Sequence, residues 1–127
     1  MNPSADDGLR YLDFEFSEDA QGLGCRDALA TVRPSQWPAL QAEVGLVLAW
    51  ARQLPGATEG PLEDGGDWDW SLQAWLETDP PLALVVDEGH VLGTEALAPD
   101  SRISLAFTLS GSPDFCQALA TRFGLPD

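Results

Sequence analysis

Carboxylates are the side chains with which this sequence could do chemistry. Asp13 and Glu15 alternate with apolar residues near the start of the chain. A second and larger group falls in residues 59–77, and it comprises Glu59, Glu63, Asp64, Asp67, Asp69 and Glu77. Carboxylates act as general acids, as ligands of hard cations, or as partners of arginine and lysine. Each use needs a different arrangement, which the rest of the sequence must supply.

Catalytic and metal-binding arrangements are both incomplete. Glycoside hydrolysis needs two carboxylates that face each other across a cleft, and the sequence indicates no cleft. Asp64, Asp67 and Asp69 offer oxygen ligands in a loop, but the glycine and glutamate spacing of a calcium-binding EF-hand is missing. The only histidine, His90, follows a turn and would have to carry acid–base chemistry alone. We therefore predict a protein that is not an enzyme and holds no cofactor or metal, with a metal-binding domain or a small hydrolase as alternatives.

The net charge restricts the class of partner. The chain has 21 acidic residues against 6 basic ones, all of them arginine, and a formal net charge of −15. Such a chain repels nucleic-acid phosphates and anionic lipid, so we predict no binding to nucleic acid or to a membrane. A basic protein would be attracted, and would associate quickly through electrostatic steering. The alternative is that the acidity serves only solubility.

Chain length, termini and cysteines indicate one cytoplasmic domain. Residues 1–8 carry acids where a secretory signal needs bases, and no apolar run is as long as a membrane span. Cys25 and Cys116 form no CxxC pair, and we predict both to be small buried residues. For 127 residues, we predict a flexible tail over residues 1–8 and a single domain over residues 9–127.

The stretch 68–76 is the element expected to position the larger acidic group. Its apolar residues, beginning with Trp68 and Trp70, alternate with polar ones, which is typical of a strand with one buried face. The other side is acidic and carries one aromatic residue, Trp75. Trp75, and Tyr11 beside the first acidic pair, resemble the aromatic anchors of protein interfaces. Packing beneath a loop is the alternative for such a tryptophan.

The remaining patterns predict the fold class. Strand patterns cover residues 10–18, 25–32, 82–86, 90–97 and 102–110. One helix is predicted from an N-cap at Ser35 to about Leu54, and Gly45 within it indicates a close approach to the sheet. A second helix follows the N-cap Ser112 and ends at Gly124. The order ββαββββα predicts an α+β fold: an antiparallel sheet of five or six strands with two helices packed on one face.

These features favour binding over catalysis. We expect an acidic protein-binding module, namely a bacterial inhibitor of the immunity type that neutralises a basic toxin or nuclease with a carboxylate-lined surface. The alternatives are a DNA mimic and a chaperone or adaptor for a basic cargo protein. The predicted contacts with the partner are Asp13, Glu15, Glu63, Asp64, Asp67, Asp69, Trp75 and Glu77.

Overall fold

A computed structural model of the protein describes residues 9–18, 23–78, 80–87, 90, 91 and 97–125. Within these ranges the strands are β1 (Phe14–Glu18), β2 (Gly24–Val32), β3 (Trp68–Leu76), β4 (Leu82–Ala83), β5 (Val86–Asp87), β6 (His90–Val91) and β7 (Ile103–Gly111). The helices are α1 (Trp37–Arg52) and α2 (Pro113–Phe123). Residues 1–8, which were predicted to form a tail, lie outside the described ranges.

Five strands form one antiparallel sheet in the order β1-β2-β7-β3-β4, while β5 and β6 pair separately. The central strand, β7, is in register with β2 along one side and with β3 along the other. Its apolar positions Ile103, Leu105, Phe107 and Leu109 are at most 1% exposed. Because β7 alternates apolar with small residues along its whole length, it buries one face and places small side chains on the other.

Both helices cover the same face of the sheet. α1 buries an apolar stripe at the three- and four-residue spacing of its sequence. α2 begins after Ser112, whose Oγ accepts a hydrogen bond of 3.2 Å from the Phe115 N–H, and ends at Gly124 in the left-handed conformation. Trp50 of α1 packs against Phe115 and Phe123 of α2, with ring centroids 6.1 and 5.5 Å apart. The predicted α+β fold, with an antiparallel sheet and two helices, is confirmed.

Two predictions about α1 are wrong. Ser35 is not the N-cap, because Pro34–Gln36 form a 3-10 turn in which the Arg33 N–H donates a 3.0 Å hydrogen bond to Gln36 Oε1. α1 starts only after this turn. Gly45 marks no approach to the sheet, since it is exposed and a Cβ at its position would meet no atom within 4 Å.

The start of β1 also differs from the prediction. The strand begins at Phe14 instead of Arg10. The Glu43 carboxylate of α1 accepts hydrogen bonds of 2.9–3.2 Å from the backbone N–H groups of Arg10, Tyr11 and Leu12, so these donors bind a side chain and not a strand. Tyr11 packs against the core and is half-buried, so it is less exposed than the strand pattern predicted.

The segment after β3 pairs less extensively than its sequence predicted. The pattern over residues 82–86 yields only two residues of β4 at the sheet edge, followed by the start of β5. Pro80 and Pro81 directly precede β4 and lack the N–H that a longer strand would use. Of the predicted strand over residues 90–97, His90 and Val91 form β6, and residues 92–96 lie outside the described ranges.

Candidate functional site

One face of the sheet lies under the helices, and the other is covered by no described element. We call the second face the open face. Successive residues of a strand point to opposite faces, so the buried residues of β7 identify the positions that lie on it. These are Glu15, Ser17, Cys25, Asp27, Leu29, Thr31, Ser104, Ala106, Thr108, Ser110, Asp69, Ser71, Gln73, Trp75 and Ala83. Most of them are acidic or small, the larger exceptions are Leu29, Gln73 and Trp75, and none is basic.

Three carboxylates line one depression where β1 lies beside β2. Asp13, Glu15 and Asp27, which we call the acidic patch, line a depression of about 320 Å³. Ala106 and Thr108 of β7 contribute to its lining, and the Thr108 hydroxyl donates a 2.7 Å hydrogen bond to Asp27 Oδ1. Because these two residues are short, a side chain from another molecule can reach the carboxylates.

Two features make the acidic patch unlike an ordinary solvated surface. Glu15 and Asp27 are directly opposite each other in the β1–β2 register, and both point to the open face. Neither carboxylate forms an ion pair with a described residue. Directly opposed like charges destabilise a sheet. Leu29 lies next to Asp27 on β2 and is 63% exposed. The negatively charged patch therefore adjoins exposed apolar surface.

Trp75 and Glu77 form a second group on the open face. The Trp75 indole N–H donates a 2.8 Å hydrogen bond to Glu77 Oε1, and the Ser104 hydroxyl donates to the same oxygen. Ser104 is in turn 2.8 Å from the Thr31 hydroxyl. These contacts occupy one oxygen of Glu77 and hold the half-buried Trp75 against its own sheet.

The sheet order keeps the two groups apart. β2 and β7 lie between β1 and β3, and three strand spacings of almost 5 Å separate the outer pair by about 14 Å. Asp69 is also on β3, and its Oδ1 accepts a 2.9 Å hydrogen bond from the Trp70 N–H. The predicted contacts on β1 therefore do not meet those on β3.

The loop before β3 is tied to the helix side of the sheet. Glu59 binds Arg52 at the end of α1, with Nε to Oε1 at 3.0 Å, and accepts a 2.9 Å hydrogen bond from the indole of Trp70, which faces the helices. Asp67 stabilises the loop from within, since its Oδ2 accepts a 2.7 Å hydrogen bond from the Thr58 N–H. Glu63 and Asp64 are exposed in a 3-10 turn of this loop. The structure thus does not bring the loop acids to the acidic patch.

The Glu59 contacts predict a pH dependence of stability. Hydrogen bonds from Arg52 and then Trp70 hold the pKa of Glu59 below its usual value. Because the folded-state pKa is lowered, Glu59 contributes stability above the unfolded-state pKa of about 4.3 and loses it as pH falls through the folded-state pKa. Side-chain exposures of 48% for Arg52 and 37% for Glu59 mean that solvent screens the pair, which limits the effect to about 0.5 kcal/mol.

Urea unfolding of the parent and of Glu59→Gln between pH 7 and pH 3 measures this contribution. The variant should be less stable at pH 7, and the difference should vanish toward pH 3. Glu63→Gln removes an equal charge from the same loop and controls for net charge. A deficit for Glu59→Gln that is unchanged at pH 3 would show that the carboxylate charge is not the cause.

Neither cysteine offers a reactive thiolate. Cys116 is buried, as predicted, whereas Cys25 is half-exposed on the open face and its predicted burial is wrong. The Cys25 thiol lies 3.6 and 3.8 Å from the two carboxylate oxygens of Asp27. Burial first, and then Asp27, raise the pKa of Cys25, and burial raises that of Cys116. Both thiols therefore stay protonated at neutral pH, which disfavours nucleophilic chemistry.

The sequence patterns did not predict Asp27 and Leu29 as site residues. The stretch 25–32 is apolar on both sides, so its facing is ambiguous when read alone. The antiparallel register of β2 with β1 and β7 resolves it, because Ala28 lies opposite Phe14 and Phe107 on the buried face. Asp27 and Leu29 must then point to the open face.

Comparisons with protein-family models, curated proteins and solved structures find no match. Within the described part of the chain, no three histidine, cysteine or acidic residues lie close enough to hold a metal ion. No helix in the same ranges is long and apolar enough to cross a membrane.

Proposed function

We propose that this protein binds a basic protein through the acidic patch of its open face, and that it acts as an inhibitor of the immunity type against a basic toxin or nuclease. The observation that carries the proposal is the pair Glu15 and Asp27, which lie at directly opposed positions of neighbouring strands and form no ion pair with a described residue. Such a pair costs the free protein stability. A cation from a partner offsets this cost, so the pair favours the bound state.

Leu29 and the small residues beside it supply the apolar part of the surface. Specific interfaces combine an apolar centre with a polar rim. Leu29 is 63% exposed beside the carboxylates, and Ala106 lies directly opposite it on β7. The alkyl part of an arginine or lysine side chain fits against Leu29 while its charged end reaches the carboxylates.

The charge of the whole chain supports the same class of partner. A net charge of −15 raises the association rate of a basic protein and opposes binding to nucleic acid. Long-range attraction does not select a binding site, however. Selection has to come from the acidic patch, and this is the part that mutation can test.

The test compares two double variants with the same change of charge. The tagged protein is used to capture a basic protein from its host lysate at low salt, and the affinity of the purified pair is then measured. Glu15→Gln with Asp27→Asn should weaken binding by about 10- to 100-fold. Glu63→Gln with Asp64→Asn, in the loop on the helix side, should change it by less than about twofold.

Either of two results would reject the proposal. Equal weakening by both double variants would show that general charge attraction, and not the acidic patch, holds the partner. If no basic protein is retained at low salt, the acidity serves solubility, and the inhibitor function is wrong.

The same pair predicts a gain of stability when one charge is removed. Glu15→Gln should raise the free energy of unfolding by about 0.2–1 kcal/mol, because it relieves the repulsion with Asp27. Glu63→Gln controls for the lower net charge. In a double-mutant cycle with Asp27→Asn, the gains should not add, since either substitution removes the same repulsion. Additive gains, measured by urea unfolding, would mean that the two carboxylates do not interact.

A further inference from the structure

The outer edge of β1 is a second feature of the surface next to the acidic patch. β1 is the outermost strand on its side of the sheet, and it pairs with β2 over all five of its residues. Beyond it, no strand is found among the described residues. Alternate backbone N–H and C=O groups of an edge strand point away from the sheet and can pair with another chain.

The two edges of the sheet differ in protection. On the far side β4 has two residues and follows Pro80 and Pro81, and short strands and prolines are common devices against edge pairing. β4 covers only Trp75 and Leu76 of β3, and an isolated bridge from Glu59 covers Trp68, so residues 69–73 pair with no described strand on that side. β1, with the sequence Phe-Glu-Phe-Ser-Glu, has no proline and no lysine, and residues 15–18 are exposed. The N–H groups just before β1 are already covered by Glu43. The backbone N–H groups before β1 are therefore protected from pairing with another chain, whereas those on the outer edge of β1 are not.

The side chains along this edge indicate what kind of strand would fit. Glu15 points to the open face, while Phe16 points to the helix side and is 39% exposed. A strand added beside β1 would place alternate side chains next to these two residues. Basic residues on one face and apolar residues on the other are complementary to them. A second copy of this chain fits poorly, because it would bring Glu15 and Glu18 of two strongly acidic molecules together.

We infer that β1 accepts an extended segment of the basic partner by β-strand addition, with arginine or lysine side chains beside Glu15 and apolar side chains against Phe16. This inference rests on the proposed function and adds to it a backbone contact. The partner is then held by main-chain hydrogen bonds as well as by charge, a mode in which the side chains of alternate residues give specificity.

A synthetic peptide tests the inference without knowledge of the partner. The probe is a heptapeptide of alternating arginine and valine with blocked ends, and the control is the same peptide N-methylated at every internal amide. Both have the same charge and side chains, but the internal amides of the control cannot donate hydrogen bonds. Affinity is measured by titration, and amide hydrogen exchange of the full-length protein is followed by NMR.

We expect the unmodified peptide to bind about tenfold or more tightly than the control, and to slow exchange of the outward-pointing amides of Phe14–Glu18. Equal binding of both peptides, with NMR shifts at Asp27, Leu29 and Thr108 but no protection of β1, would overturn strand addition and leave the proposed function in place. Binding of neither peptide would also overturn it. Protection of β1 that grows with protein concentration in the absence of peptide would identify a second copy as the occupant and reject a basic segment.

Discussion

Replacing Trp68 with alanine should lower the free energy of unfolding by about 3–5 kcal/mol. Trp68 is 0% exposed, and its ring stacks on Phe115 of α2 with centroids 5.4 Å apart and planes 2° apart. Gly111, directly opposite Trp68 on β7, leaves room for the Phe115 ring, since a Cβ there would lie 2.4 Å from Phe115 Cδ2. Because Trp68 is fully buried between the sheet and α2, the cavity left by alanine closes only in part. A loss of this size is a large share of the roughly 5–15 kcal/mol that stabilises a small domain.

Two further variants separate packing from other effects of the Trp68 substitution. Trp68→Phe keeps a ring on Phe115 and removes an indole N–H that has no hydrogen-bond partner among the described residues, so it should cost much less than alanine. Trp75→Ala removes a tryptophan from the open face and should also cost less, because Trp75 is only half-buried. Urea unfolding gives all three values. A cost for Trp68→Ala no larger than that of Trp75→Ala would contradict the stacked packing between sheet and α2.

Replacing Glu43 with alanine should lower the free energy of unfolding by about 1.5–3 kcal/mol. Its carboxylate accepts hydrogen bonds from the backbone N–H groups of Arg10, Tyr11 and Leu12, which tie the start of the described chain to α1. Hydrogen bonds to a charged acceptor are stronger than those between neutral groups, and their loss leaves three backbone donors without this acceptor.

Hydrogen exchange can locate the effect of the Glu43 substitution. Amides of Arg10, Tyr11 and Leu12 should exchange faster in Glu43→Ala, and Glu43→Gln, which keeps one accepting oxygen, should fall between the parent and alanine. Ala42→Ser, on the exposed side of the same helix, controls for general perturbation of α1. Unchanged exchange at residues 10–12 would mean that the carboxylate does not hold this segment in solution.

The sequence was most informative where structure depends on neighbours along the chain. The bounds of β3, the alternation of β7 and the capping of α2 by Ser112 and Gly124 were all predictable, because strand alternation and helix capping are local. The α+β class followed from the order of such elements. The start of β1 was not predictable, because it depends on Glu43, some thirty residues away, accepting the hydrogen bonds of the preceding backbone.

The composition of the acidic patch was decided by the tertiary structure. Asp13 and Glu15 were identified as candidates from the alternation of their own strand, and that much is local. Asp27 joined them, and Asp69 and Glu77 did not, because β2 pairs with β1 while β7 lies between β2 and β3. The sequence by itself determined which residues of a strand share a face, since that follows from the two-residue period of the backbone. Which strands become neighbours depends on pairing between distant segments that together bury one apolar face, and only the folded sheet shows it.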